Sequence, residues 1–161
     1  MSVKLNPYFS NIKLFIYDFD GVMTNNTFLL DVNGNEYVSL NRSDGMAVQM
    51  IKSLGFSQLI LSTEDSKLVK NRANKLCIDA FYGIDNKLKK LKSIVKDQGI
   101  EPENVGYIGN DINDLEAMSY VGLRMAPADA EMSILNICDH IIDRKGGAGV
   151  IRELYFMITG E

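Results

Sequence analysis

The segment KLFIYDFDGVMT, residues 13–24, decides how the rest of the chain is read. Leu14, Phe15, Ile16 and Tyr17, with Phe19 beyond, are apolar or aromatic and do not alternate with polar residues. Such a run suits a strand buried on both faces of a parallel sheet. Asp18 and Asp20 are set among these residues and Gly21 follows. The carboxyl end of the strand is therefore expected to turn into a loop there, where ligands bind in open α/β sheets. Carboxylates beside a buried sheet are costly unless paired, hydrogen-bonded or bound to metal, so two of them at a spacing of two ask for a cation.

Beyond Thr24, FLLDV and EYVSL flank Asn33-Gly34, a dipeptide favoured in the two-residue type I′ turn of a β-hairpin. Ser43 or Asp44 is expected to cap a helix running to Leu54, with Met46, Met50, Ile51 and Leu54 as its apolar stripe. SQLILS (57–62) reads as a second buried strand. Asp65 or Ser66 opens a helix to about Leu76. DAFYG (79–83) is a short strand, and Asp85 caps a helix whose Leu88, Leu91, Ile94 and Val95 keep the 3.6 period until Gly99. NVGYIG (104–109) is the next strand, followed by a helix over 111–120, a strand over 122–126 and a short helix over 127–135. HIID (140–143) is the last strand and 148–158 the last helix. Strands alternating with helices of about ten residues mean an α/β fold with a mostly parallel sheet and helices on both faces.

With 161 residues, 46% of them hydrophobic and 24% charged, the chain is expected to fold as one domain, residues 1–161. A net charge of −4 argues against general binding to nucleic acid or anionic membrane. Cys77 and Cys138 form no CxxC pair, against structural zinc or a disulfide framework. The N-terminal MSVKLNPYFSN has no apolar core of signal-peptide length, and no run reaches the ~18 residues of a membrane span. The expectation is a cytoplasmic protein.

Polar groups follow strands in four places: Asp18/Asp20, Ser62/Thr63, the segment before Lys87, and Asn110/Asp111/Asp114. In a parallel sheet these strand ends share one edge and can converge on one crevice. Oxygen donors without His or Cys favour magnesium between Asp18 and the Asn110/Asp111 pair; the candidate ligands are Asp18, Asp20, Asn110 and Asp111, with either Asn110 or Asp111 as the direct one. Magnesium held by a few carboxylates commonly also holds a phosphate. Asp18 could then attack phosphorus, and Asp20 could protonate the leaving alcohol and later deprotonate water. Ser62 or Thr63 could donate to a phosphoryl oxygen, and Lys87 could pair with its charge. Read singly, Lys87 is a surface lysine early in a helix, Ser62 and Thr63 are a helix start, and Arg42 and Asp44 cap and pair.

In order and spacing, DFDGVMT, LST, the lysine of GIDNK, and GNDINDLEAM resemble the four motifs of the haloacid-dehalogenase superfamily of phosphatases. With the Asn-Gly hairpin, NRSDG, LSTE, VKNRANKL, VGLRMAPADA and KGGAGVIRE, the likeness extends from about residue 12 to 154. It narrows to the small capless phosphatases of 3-deoxy-D-manno-octulosonate 8-phosphate and nonulosonate 9-phosphates. The module fused behind sugar-acid cytidylyltransferases is also similar. The resemblance implies a Rossmann-like fold without a cap domain, a magnesium-dependent phosphomonoesterase working through an aspartyl phosphate, and a homotetramer assembled through the hairpin at about residues 26–40. It also implies that Asp114 hydrogen-bonds rather than ligates, and that the glycine-rich tail around Gly147 reaches toward a site, with Arg152 assisting.

Two positions depart from the octulosonate pattern. Asn110 stands where the family usually has a magnesium-binding aspartate; an amide oxygen ligates without charge, and Asp111 beside it could compensate. Glu64 stands where the octulosonate enzymes carry arginine, as in the nonulosonate-type members. Glu64, Arg72 and Lys75 match specificity positions. Arg72 and Lys75, three apart on a helix, suit a substrate carboxylate, and Arg42 is a further candidate contact. A nonulosonate 9-phosphate is therefore favoured over the octulosonate ester. The rival expectation is a non-catalytic oligomerisation or regulatory module on the same scaffold.

Overall fold

The computed structural model describes residues 5–160. The signal-peptide reading of the N-terminus rests partly on residues 1–4, outside that range. Strands β1 (Leu14–Tyr17), β4 (Ser57–Leu61), β5 (Asp79–Phe81), β6 (Val105–Ile108), β7 (Leu123–Pro127) and β8 (His140–Ile142) form one sheet in the order β5-β4-β1-β6-β7-β8. Every pairing in it is parallel. The chain builds outward from β1 through β4 and β5, then returns to its other side for β6, β7 and β8. The connection therefore reverses direction beside β1, which opens a crevice at the carboxyl ends of β1, β4 and β6.

All four residues of β1 are buried, as its unbroken apolar run requires. Phe15 and Tyr17 point into the core shared with α1 (Arg42–Ser53), α2 (Lys67–Leu76) and α6 (Val150–Thr159). Leu14 and Ile16 point the other way, onto α3 (Lys87–Gln98), α4 (Leu115–Met118) and α5 (Met132–Leu135). Each fully buried Leu or Ile contributes roughly 1.5–3 kcal/mol over an exposed one. Two-sided burial therefore locks the register on which the site depends. Among the described residues there is no cap domain, and no helix is long and apolar enough to cross a membrane.

Local expectations shift in three places. The hairpin exists, as β2 (Leu29–Leu30) against β3 (Glu36–Tyr37), but its turn is not a two-residue type I′ turn. That turn needs positive φ at both central residues, whereas Gly34 is at +82° and Asn33 is not positive. Instead Asp31 Oδ1 accepts from the backbone N–H groups of Asn33 and Asn35 at 2.8 and 2.9 Å, closing a five-residue loop. In α1 the N-cap is Asn41, and the buried face is Asp44, Ala47, Val48 and Ile51, while Met46 is exposed. The helix expected over 111–120 is a 3-10 turn (Ile112–Asp114) followed by the single turn of α4.

Candidate active site

Tyr17 is level with Ile60 on β4 and Ile108 on β6, so all three strands end at one rim. The Asp18 N–H donates to Ile108 O at 2.9 Å, extending the ladder one residue and aiming Asp18 at the crevice. Asp18 is 5% exposed. Its Oδ1 accepts from the Phe19 N–H at 2.7 Å and lies 2.8 Å from Lys87 Nζ. Lys87 is the first residue of α3, whose N-cap is Asn86 rather than Asp85. Instead of reaching solvent it is buried, with Nζ also 2.6 Å from Asp114 Oδ1. Asp114 is fully buried and accepts from Tyr107 Oη at 2.7 Å and from the Asn110 N–H at 3.0 Å. One carboxylate thus anchors the lysine, the end of β6 and the loop after it.

The buried cluster holds two carboxylates against one ammonium. Burial raises the Asp18 carboxyl well above its ordinary value; the Asp114 charge adds to this, and Lys87 and the Phe19 N–H oppose it. For Lys87, burial alone would depress the ammonium, but Asp18 and Asp114 outweigh it and the pKa is raised. Lys87 therefore stays charged, and ionising Asp18 beside Asp114 is costly while only one ammonium faces the pair.

Asp20 is half-buried, and its Oδ1 accepts from Thr24 Oγ1 at 3.0 Å. Burial raises its pKa against the Thr24 hydrogen bond and Lys87. Thr24 is fully buried, and its hydroxyl oxygen also accepts the Gly21 and Asn26 N–H groups, shaping the loop that presents Asp20. Gly21 has φ +82°, and a Cβ there would overlap the Asn110 side chain, so only glycine lets the two loops meet. Ser62 is buried at the end of β4, where its Oγ accepts from the Glu64 N–H at 3.2 Å. Thr63 Oγ1 accepts from Asn113 Nδ2 at 3.2 Å, tying the β4 loop to the β6 loop.

These loops enclose a cleft of about 270 Å³. A family model for the haloacid dehalogenase-like hydrolases matches residues 63–154, more than half of the chain. The chain belongs to the haloacid dehalogenase-like hydrolases. This hydrolase is 34% identical over 149 residues to the 3-deoxy-D-manno-octulosonate 8-phosphate phosphatase KdsC of Haemophilus influenzae, covering 92% of this chain and 83% of the relative. It is 34% identical over 145 residues to the Escherichia coli enzyme of that name, covering 89% and 77%. Among solved structures, that of the Moraxella catarrhalis octulosonate 8-phosphate phosphatase, in complex with magnesium ion, phosphate ion and KDO, superposes with a TM-score of 0.90 at 30% identity, covering 94% and 88%. The cobalt-bound Haemophilus influenzae phosphatase superposes at 0.89 with 33% identity, covering 94% and 90%. The haloacid dehalogenase-like hydrolase described here is, with these relatives, a phosphatase.

The residues of this hydrolase fit a divalent cation with oxygen ligands. The side-chain amide of Asn110 faces Asp18 Oδ2 at 3.0 Å and the Asp20 carbonyl at 2.9 Å. The amide nitrogen donates to both; with the amide turned so that its oxygen faces them, the three oxygens would make a donor set for a hard cation. Asp111 is turned differently: its Oδ1 accepts from the Ile112 N–H at 2.6 Å and caps the 3-10 turn. The Asp20 carboxylate is engaged by Thr24, so its main chain rather than its side chain faces Asn110.

Asp18, Asp20, Ser62, Thr63, Glu64, Asn110 and Asp111 line the cleft of the hydrolase, with Lys87 and Asp114 beneath Asp18. Arg72, Lys75, Arg42 and Gly147 do not line it. Arg72 is buried, its Nη2 donating to Asn41 O at 3.0 Å, which steadies the start of α1. Lys75 and Arg42 are exposed. Gly147 packs on the loop after Asp18 and Asp20, its N–H donating to Val22 O at 3.0 Å. Arg152 lies with its Nη1 3.5 Å from Met50 Sδ. Sequence reasoning assigned no role to Thr24, Asn113, Tyr107 or Glu36. Thr24 stands within the quoted segment, four residues after Asp20. Glu36 lies in the hairpin, whose Phe28, Glu36 and Val38 form a wall of the cleft.

Proposed function

We propose that this phosphatase hydrolyses the phosphate monoester of a keto-deoxy sugar acid, with Asp18 as nucleophile, Asp20 as general acid and base, and magnesium held by Asp18, the Asp20 carbonyl and Asn110. When bound, the cation neutralises charge on the phosphoryl group and the nucleophile. The observation that supports the reading is the convergence of Asp18, Asp20, Asn110 and the Lys87–Asp114 pair at one rim, in a chain related over most of its length to octulosonate 8-phosphate phosphatases.

In the first half-reaction the Asp18 carboxylate attacks phosphorus and the bond to the sugar oxygen breaks, leaving an aspartyl phosphate. Asp20, whose raised pKa lets it carry a proton, gives that proton to the leaving oxygen. In the second half Asp20 takes a proton from water as the water oxygen attacks phosphorus, releasing inorganic phosphate and restoring Asp18. Lys87, held by Asp114, keeps positive charge beside the nucleophile throughout. The Ser62 hydroxyl and the N–H groups of its loop donate to the phosphoryl oxygens.

The names of the relatives favour the octulosonate 8-phosphate. Glu64, in the cleft wall where those enzymes are expected to carry arginine, favours a nonulosonate 9-phosphate, whose longer chain offers hydroxyl and amide donors. Arg72 and Lys75 lend that choice no support, since neither lines the cleft. Phosphate release from both esters, with magnesium and with EDTA, tests the reading. Turnover of at least one that stops in EDTA is expected; turnover of neither would contradict the substrate class.

The reading includes a homotetramer joined through the hairpin. Phe28, Leu29, Leu30, Val32 and Tyr37 are all more than half exposed there. A two-stranded hairpin with exposed apolar side chains on both faces is poorly stable alone and gains from covering by copies of itself.

A further inference from the structure

Resting on the metal reading above, we propose that the Asn110 amide is a two-state plug: with nitrogen inward it takes the place of the cation, and with oxygen inward it ligates it. The two states differ by a half-turn of one side chain. With nitrogen inward, the amide donates to Asp18 Oδ2 at 3.0 Å and to the Asp20 carbonyl at 2.9 Å. Both N–H groups of the amide are used, and both acceptors are satisfied without metal. With oxygen inward, three oxygens face one another at those distances with no proton among them. Only a cation holds that arrangement.

The surroundings hold Asn110 in place at the cleft. It is 7% exposed, its own N–H is fixed to Asp114 Oδ2, and its carbonyl accepts from the Glu131 N–H at 2.8 Å. The side chain lies over Gly21, so close that any Cβ there would collide with it. A carboxylate at this position could not plug the site. As a carboxylate it has no donor for Asp18 or the Asp20 carbonyl, and it would place a further carboxylate beside the Asp18–Lys87–Asp114 cluster. Asparagine therefore gives a site that holds together without metal, at the cost of weaker metal binding, since the amide must first surrender two hydrogen bonds.

The test compares wild type with Asn110→Asp by thermal unfolding in EDTA and in saturating magnesium chloride, and by calorimetric magnesium titration. The expected result is a variant that unfolds at lower temperature than wild type in EDTA, at no lower temperature in magnesium, and that binds magnesium at least tenfold more tightly. A second readout needs only folded wild type. The Asn110 side-chain amide signals, assigned by their absence from Asn110→Ser, should exchange slowly with solvent in EDTA and shift on adding magnesium. Equal stability of Asn110→Asp and wild type in EDTA, with equal magnesium affinity, or a freely exchanging Asn110 amide in EDTA, would overturn the plug and leave the metal reading intact. Failure of magnesium to bind either protein, while both release phosphate from an ester, would overturn the metal reading and the plug with it.

Discussion

Lys87 opens a helix whose next exposed neighbours are ordinary lysines, yet it is the one turned inward. Its Nζ spans Asp18 and Asp114 at 2.8 and 2.6 Å. Removing one partner from a buried ion cluster leaves charge unpaired, so Lys87→Ala is expected to lose about 3–5 kcal/mol in urea unfolding. Asp18→Asn should drop kcat by roughly three orders of magnitude or more with the fold retained, since it removes the proposed nucleophile. Asp20→Asn should cost about 10²–10⁴-fold, measured as phosphate release on the same ester. Asp18, Ser62 and Asn110, proposed to carry this chemistry, were legible because each follows an apolar run that reads as a buried strand. Arg72 was not. Its spacing from Lys75 shows a shared helix face, but whether that face meets ligand or protein depends on the carbonyl of Asn41, which no local pattern exposes. The same holds for the choice between Asn110 and Asp111. Adjacent residues point apart, and Asp111 is claimed by the cap of its own 3-10 turn.

Elements are joined here by carboxylates that act across the fold. α6 begins at Gly149, which has no side chain to cap it; Asp44 of α1 supplies the acceptor, taking the Arg152 N–H at 2.9 Å. Asp44→Ala is expected to destabilise by about 1–2 kcal/mol, as loss of a helix cap does, read by chemical denaturation. Capping by a residue over a hundred positions away in sequence has no local signature. Asp44, first weighed as a possible local cap, turned out to cap a different helix. Asp139 joins β7 to the turn before β8: Arg124 donates to it from its N–H at 2.8 Å, from Nε at 2.9 Å and from Nη2 at 2.7 Å. Those Arg124 hydrogen bonds hold its carboxyl below its ordinary value. A depressed carboxyl contributes stability that is complete above the unfolded pKa of about 3.9 and is lost as pH falls through the folded value. The Tm gap between wild type and Asp139→Asn should therefore be widest near neutral pH and narrow in acid. A gap that is constant with pH would contradict the pairing. Of the apolar stripe expected in α1, Ile51 is buried and Met50 and Leu54 pack on the core, while Met46 keeps the helical period but stays exposed.

At the scale of the whole molecule, sheet order does the work of assembly. Because β1 sits between β4 and β6, loops distant in sequence meet without any one of them being long. Alternating strand and helix patterns made this architecture readable, whereas the hairpin's place as a cleft wall was not, since β2 and β3 pair only with each other. Glu36 faces the cleft from that wall, so the hairpin serves the site as well as the proposed assembly. Placing like charge on one exposed face of the hairpin, with Leu29→Glu and Tyr37→Glu together, should convert a tetramer to monomers by light scattering while far-ultraviolet circular dichroism stays unchanged. A wild-type monomer would contradict the assembly. The central claim is that Asp18 takes the phosphoryl group, and it is tested most directly by acid-quenching turnover of isotopically labelled octulosonate 8-phosphate, or of the nonulosonate 9-phosphate if only that ester turns over, and mapping the label by peptide mass spectrometry. The account predicts a hydroxylamine-sensitive phosphoryl group on Asp18, absent from Asp18→Asn. Phosphate release with the label on another residue, or undiminished release by Asp18→Asn, would contradict it.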